Sequence, residues 1–267
     1  MTMHQFNYLK AKSLDDAAAL VKTHPDAKIL SGGMTLLPTL KQGLAQPSHL
    51  IDVAGLRELS GIEEKGGVLM IGAATRHYET ASSAVVKKVI PALAYLASLI
   101  GDPQVRNRGT MGGSVANNDP AADYPAAVLA LDARIVTNRR EIAADDYFQG
   151  MFATALEEGE IVVRIAFPLP KRAAYEKFPH PASGYAMAGV FIAETAAGVR
   201  VAVTGAGPGV FRWKGAETAL AKGLKAGALD ALQVDATHLN EDFHATREYR
   251  ANLVQVMGRR ALQKLLA

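Results

Sequence analysis

The sequence predicts a mixed α+β protein: two α/β units followed by a C-terminal sheet with covering helices. Strand and helix patterns alternate up to about residue 56, the alternation resumes with alanine-rich helices and closes at Pro168 and Pro170, and the last third turns to a hairpin and a long helical period. The 267 residues, 49% hydrophobic, are enough for one large domain or two to three small ones. The expected divisions are 1–56, 57–171 and 172–267.

In the first unit, Phe6, Asn7, Tyr8 and Leu9 read as a short strand. Ser13 followed by Asp16 marks a helix N-terminus, and Leu14, Ala17, Ala18 and Val21 share one face of a helix over Leu14–Thr23. Ala27–Leu30 reads as a buried strand, Ser31-Gly32-Gly33 as a tight loop, Leu36–Gln42 as a helix stopped by Gly43, and Leu50–Val53 as a strand.

In the second unit, Val68–Ile71 follows a Gly66-Gly67 turn, and Thr75 is placed to cap a helix beginning near His77. Helices are expected over Ser83–Ile90 and Ala92–Ile100, with Pro91 in a first turn where its missing N–H costs little. Gly101–Pro125 reads as irregular. Beyond it come a helix over Pro125–Leu131, a strand over Arg134–Thr137, a short helix over Asp146–Gly150 and a strand over Ile161–Phe167.

The third part reads as strands Tyr175–Phe178, Tyr185–Glu194 and Val199–Thr204, the last two a hairpin, then helices Gly215–Lys222 and Arg247–Leu266. In the final helix Tyr249, Leu253, Val256 or Met257, Arg260 and Lys264 trace one line whose apolar members would pack on the sheet.

Chemistry concentrates in two segments. Lys28–Pro38 runs from a strand through Gly32-Gly33 into a helix, a junction that offers unsatisfied amides and the positive end of a helix dipole to a phosphate, or that simply turns the chain. The segment from Gly101 to Pro125 packs Gly109, Thr110, Gly112, Gly113, Asn117, Asn118 and Asp123 into a short span. Backbone without Cβ atoms approaches a ligand closely, while amides and a carboxylate hold hydroxyl groups; together they suit a nucleotide diphosphate. Asp123 is placed either to hold a ribose or to cap the helix that begins at Tyr124-Pro125.

Other chemistries are excluded or thin. The chain has no cysteine, hence no disulfide, no thiolate nucleophile and no cysteine-ligated cluster of its own. A net charge of +3, from 29 basic and 26 acidic residues spread along the chain, makes no nucleic-acid patch. The seven histidines lack metal-ligand spacing and read as surface or core residues, and Ser114 is not in a nucleophile elbow. In Gly205-Ala206-Gly207-Pro208-Gly209 the proline removes an N–H where a phosphate would need one, so the segment reads as a turn. Met1–Lys12 carries no leader-like apolar run and no stretch is long enough for a bilayer, so a cytoplasmic protein that does not span a membrane is expected.

In order and at these spacings, the segments 31–38, Ile71-Gly72-Ala73-Ala74-Thr75, 106–117 with Asp119-Pro120 and Asp123-Tyr124-Pro125, Tyr175-Glu176-Lys177-Phe178 and 185–190 resemble the flavin-binding subunits of the molybdenum hydroxylases, the family of xanthine dehydrogenase and aerobic carbon monoxide dehydrogenase. The resemblance covers nearly the whole chain and is closest to the free-standing medium subunit. It implies a two-part FAD-binding region of the PCMH (vanillyl-alcohol-oxidase-like) type, followed by a C-terminal domain like that of the carbon monoxide dehydrogenase flavoprotein. It also implies that Ile29, Leu30, Ser31, Gly32, Gly33, Met34, Thr35 and Leu36 form one side of the FAD site. Thr110, Gly113, Ser114, Asn117 and the ribose-side Asp123 form the other. Met34 stands where relatives often carry a polar residue, and Tyr185 where one lies against the isoalloxazine ring; as a strand aromatic, Tyr185 could equally belong to the core.

By the same resemblance, a large molybdenum-cofactor subunit oxidises the substrate and a small subunit with two iron–sulfur clusters passes electrons to FAD here, within a dimer of heterotrimers. Carbon monoxide is the first substrate the resemblance implies, beside N-heterocycles and aldehydes, and quinone, oxygen or a soluble carrier are open as the electron acceptor. A self-sufficient FAD oxidoreductase and a non-enzymatic adenine-nucleotide-binding module remain alternatives on the residues alone.

Overall fold

The computed structural model describes residues 4–267, so the first three residues of the Met1–Lys12 segment lie outside it. Three sheets of three or more strands organise the described chain. The first is parallel, with Asn7–Lys10 and Lys28–Leu30 flanking His49–Asp52. Its opening crossover is the helix Leu14–Thr23, where Ser13 Oγ accepts the Asp16 N–H at 3.1 Å and Ala17 and Val21 are buried. A parallel pair needs such a connection, which explains the strand–helix alternation.

The second sheet is antiparallel, in the order Ile62–Lys65, Val68–Gly72, Val162–Pro168, Arg134–Thr137, Glu141–Ala143. Leu69, Ile71, Ile135, Ile165 and Phe167 point from it into a core filled by Leu93, Leu96, Val128 and other helical residues. The third sheet is an antiparallel meander, Arg172–Pro179, Ala186–Thr195, Gly198–Thr204 and Phe211–Arg212.

Both faces of this last sheet are covered. Phe191, Ala193 and Ala202 join the core of the second sheet, beside the helix Tyr124–Ala130, whereas Val190, Ile192, Val201 and Val203 pack under the final helix Arg247–Leu266. The period of two in a strand divides one apolar run between two cores, and so residues 186–193 are buried without interruption. Buried hydrogen bonds fix the join: Thr204 Oγ1 donates to the Pro120 and Ala122 carbonyls at 3.1 and 2.6 Å, and Gly205 N–H donates to Pro120 at 2.8 Å.

Several expected elements shift. The segment 101–125 is not irregular, because it holds two short helices, Pro103–Arg108 and Met111–Asn117. Asp102 caps the first by accepting the Val105 N–H at 2.8 Å, with Pro103 in its opening turn. Thr75 does not cap the next helix; Arg76 is its N-cap, and the Thr75 hydroxyl donates to the Gly61 carbonyl. The expected helix over Asp146–Gly150 is instead Ala144–Tyr147, and Phe148–Gly150 pairs with Ala153–Thr154 in a small hairpin, for which Gly150 takes φ 128°. The final helix buries Arg250, Leu253, Val254, Met257, Ala261 and Leu265, while Tyr249 remains 43% exposed, so its inner face is rotated from the expected line.

Candidate functional site

The strand Lys28–Leu30 ends in a turn in which Gly33 adopts φ 73°, a left-handed conformation that L side chains rarely take. Among the described residues, the backbone N–H groups of Gly32, Gly33, Met34 and Thr35 have no acceptor, although the carbonyls of Gly33 and Thr35 accept the Leu37 and Thr39 N–H groups at 3.0 and 3.1 Å. Four successive donors without partners form an anion-binding concavity.

The turn at Gly109–Ser114 differs. Met111 N–H donates to Thr75 at 3.0 Å and Gly112 N–H to Ala73 at 2.9 Å, which ties the helix to the end of the strand Val68–Gly72, and Ser114 N–H donates to Thr110 at 3.0 Å within the helix's own first turn, so none of these amides faces a ligand. Unpartnered successive amides are thus a feature of the first turn and not of the second. The second contributes hydroxyls: Thr110 Oγ1 lies 3.1 Å from Ser31 Oγ, across 79 residues of sequence, and also accepts the Gly113 N–H at 3.3 Å.

The glycines divide by task. A Cβ at Gly32 would fall 2.2 Å from the Arg108 carbonyl oxygen, so glycine there lets the two turns touch. A Cβ at Gly112 would fall 2.4 Å from the Ala73 Cβ, which makes that glycine a packing requirement. At Gly113 the sole close atom would be Thr110 Oγ1, at 2.9 Å, and the rest of its surroundings are open.

Between the turns lies a cleft of about 790 Å³. Of the fourteen residues expected to bind a ligand, thirteen line it, from Ile29 to Leu36 on one side and Thr110 to Asp123 on the other, with Tyr185 at a third. Leu30 is the exception: its Cδ1 sits 3.1 Å from where a Gly33 Cβ would be, so its side chain supports the turn from beneath. Tyr185 is 42% exposed and precedes the strand Ala186–Thr195, so the core role is ruled out. Burial raises its phenol pKa, as do Asp119 and Asp123.

Asp123 does not use its side chain as an N-cap. Its carboxylate, 4% exposed, accepts the Tyr175 hydroxyl at 2.5 Å and Lys177 Nζ at 3.0 Å. Lys177 Nζ also donates to the Leu99 and Gly184 carbonyls, both at 2.9 Å. Burial pushes the Asp123 carboxyl up, and Lys177 and Tyr175 oppose it; burial and Asp123 drive the Tyr175 phenol well above its ordinary range. In the sequence Tyr175 and Lys177 stand out only through the family resemblance. Their alternation with Glu176 along one strand was the available signal, since residues i and i+2 share a face.

The spacing of the histidines assigns His77 to surface or core. It is 4% exposed yet lines the cleft, and burial lowers its pKa to about 4.

A family model described as the FAD binding domain in molybdopterin dehydrogenase matches residues 4–170. The chain belongs to that family. FAD is therefore its cofactor, the chain is an oxidoreductase subunit, and the two-part region that carries the cleft is of the PCMH type. The carbon monoxide dehydrogenase medium chain of Hydrogenophaga pseudoflava is 37% identical over 97% of this chain and 96% of its own length. The nicotine 6-hydroxylase medium subunit of Paenarthrobacter nicotinovorans is 34% identical over 98% of both. A solved carbon monoxide dehydrogenase from Hydrogenophaga pseudoflava, which lacks the Mo-pyranopterin moiety of its molybdenum cofactor, superimposes with a TM-score of 0.92 over 100% of this chain and 99% of that one. No helix among the described residues is long and apolar enough to cross a membrane.

The residues present fit FAD. The free amides at 32–35 and the facing Ser31 and Thr110 hydroxyls suit a diphosphate, and the cleft is large enough for a dinucleotide.

Proposed function

We propose that this chain is the FAD subunit of a molybdenum hydroxylase of the carbon monoxide dehydrogenase type, taking electrons from iron–sulfur clusters on a partner and delivering them to an external acceptor. The observation that carries the reading is the pair of touching turns, with four unpartnered amides on one and a hydroxyl pair across the contact. Gly32, Gly33, Met34 and Thr35 hold the diphosphate through backbone N–H groups, which makes the side chain of Met34 immaterial. Ile29, Leu30, Ser31 and Leu36 shape that side, and Thr110, Gly113, Ser114 and Asn117 the opposite one. A carboxylate offers about four lone-pair sites, so Asp123 keeps capacity for a ribose hydroxyl beyond what Tyr175 and Lys177 occupy. Tyr185 stands against the flavin ring.

FAD, when bound, supplies reversible one- and two-electron chemistry, and the protein supplies placement, shielding and tuning. The absence of cysteine supports a division of labour in which a large molybdenum-cofactor subunit and a small subunit with two clusters complete the enzyme, as a cytoplasmic dimer of heterotrimers. Carbon monoxide is the substrate and quinone the acceptor on this reading. The gaps between the three sheets support divisions near residues 56 and 171.

Purification under native conditions tests it. The expected result is a yellow complex with flavin bands near-stoichiometric in this chain and two further chains carrying molybdenum and iron. A colourless chain that takes up no FAD on addition would contradict the assignment.

A further inference from the structure

The cleft is lined by one buried imidazole, that of His77. His77 opens the helix His77–Ser82, and its N–H donates to the Gly109 carbonyl at 2.9 Å. Its ring lies under the second turn: a Cβ at Gly109 would meet His77 Nε2 at 2.6 Å, so glycine at 109 is what lets the imidazole edge approach the backbone there. The other ring nitrogen, Nδ1, is buried with no hydrogen-bond partner, and the ring packs 5.3 Å from Tyr124. His77 is nevertheless among the residues that line the cleft, which leaves the Nε2 edge as the one available to a ligand.

Gly109 is itself the point where the turns meet, since a Cβ at Gly32 would come within 2.8 Å of the Gly109 Cα. The imidazole thus sits one glycine away from the amide-rich turn. A proton on the buried, unpartnered Nδ1 would be a donor with no acceptor, which places the proton of the neutral ring on Nε2 at the cleft edge.

We propose that His77 is a further cofactor-binding residue, its Nε2–H donating a hydrogen bond to the diphosphate of FAD. The inference rests on the reading of the cleft as the FAD site. With its pKa lowered to about 4 by burial, and further by Arg106, the ring is neutral near pH 7 and one nitrogen carries a proton to donate. Arg106 itself is engaged, donating to the Ile100 and Gly101 carbonyls at 3.0 and 3.2 Å.

Two amide variants separate binding from support, because a glutamine amide occupies the place of Nε2 and an asparagine amide that of Nδ1. Wild-type, His77→Gln and His77→Asn chains, freed of flavin, are titrated with FAD and with ADP by fluorescence and calorimetry, and their flavin-free melting temperatures are compared. His77→Gln should bind both ligands within about threefold of wild type, and His77→Asn should bind both at least about tenfold more weakly, a loss expected for a hydrogen bond to a charged group. The two variants should melt at similar temperatures. Wild-type affinity in His77→Asn, or equal losses in both variants in step with their melting temperatures, would overturn the proposal. A wild-type chain that binds no FAD would overturn the functional reading instead. Should His77→Asn fail to fold, His77→Gln still decides: the proposal requires it to retain ADP binding, and an ADP affinity lowered tenfold or more would overturn it.

Discussion

The glycines of the two turns are not equivalent, and the difference lies in what a Cβ would meet. At Gly112 and Gly32 it would strike Ala73 and the Arg108 carbonyl, so substitution there damages the fold. At Gly113 it would meet only the Thr110 hydroxyl, at 2.9 Å, which need shift only slightly and can keep its bond to the Gly113 N–H. Gly113→Val is therefore expected to leave the circular-dichroism spectrum native and stability within about 1 kcal/mol, since valine is no worse than glycine in a helix. FAD should be lost from the variant, because the branched side chain projects toward the cleft. Stoichiometric flavin in the purified variant would contradict this. Composition and spacing identified the glycines as a group. Which of them face the ligand depends on the sheet end at Ala73 and Thr75, about 40 residues away, and no local pattern encodes that partner.

At the scale of elements, the junction around Lys177 joins the cleft to the third sheet. Its ammonium group binds Asp123, the end of the helix Pro91–Ser98 through Leu99, and Gly184 beside Tyr185. Both side chains of the ion pair are buried, at 2% and 4% exposed, so removal of one charge strands the other. Lys177→Met is expected to cost about 3 kcal/mol in chemical denaturation, the range for a broken buried pair, and to loosen FAD through the displaced Tyr185. A loss of a few tenths of a kcal/mol would show the pair to be unimportant.

A second polar knot is Glu160, which accepts from Thr137 Oγ1 at 2.7 Å, Arg140 Nε at 3.0 Å and the Glu157 N–H at 2.8 Å. Burial raises its pKa, but Arg140 leads the opposing hydrogen bonds and the net value falls from 4.5 to about 2. A depressed carboxyl binds its proton more readily when unfolded, so its contribution is complete above pH 4.5 and is lost as pH falls to about 2. Glu160→Gln should lower stability at neutral pH and flatten the acid limb of a stability profile over that window; an unchanged acid limb would refute the role.

Strands and helices with clear period, such as Val162–Pro168 and Arg247–Leu266, were legible in the sequence. The small hairpin at 148–154 was not, since it depends on Asn118, whose side chain donates to the Gly150 and Ala153 carbonyls at 2.8 and 2.7 Å. The helix over Pro103–Arg108 was legible in hindsight from Asp102-Pro103, a cap followed by a first-turn proline that the glycine content of the segment obscured.

For the whole molecule, the buried strands of residues 186–204 serve two cores at once, so the C-terminal sheet is a wall of the cofactor region as well as a platform for the last helix. Fold, cleft and charge cluster are thus one construction, with Asp123 and Tyr185 held in place from the third sheet. That construction makes sense if the cleft holds a dinucleotide across two turns that touch. The most direct test is a crystal structure of this chain grown with FAD. The account predicts density for the diphosphate against the amides of Gly32 to Thr35, facing Thr110, with the isoalloxazine toward Tyr185. FAD bound elsewhere, or a cleft closed by side chains with the flavin excluded, would contradict it.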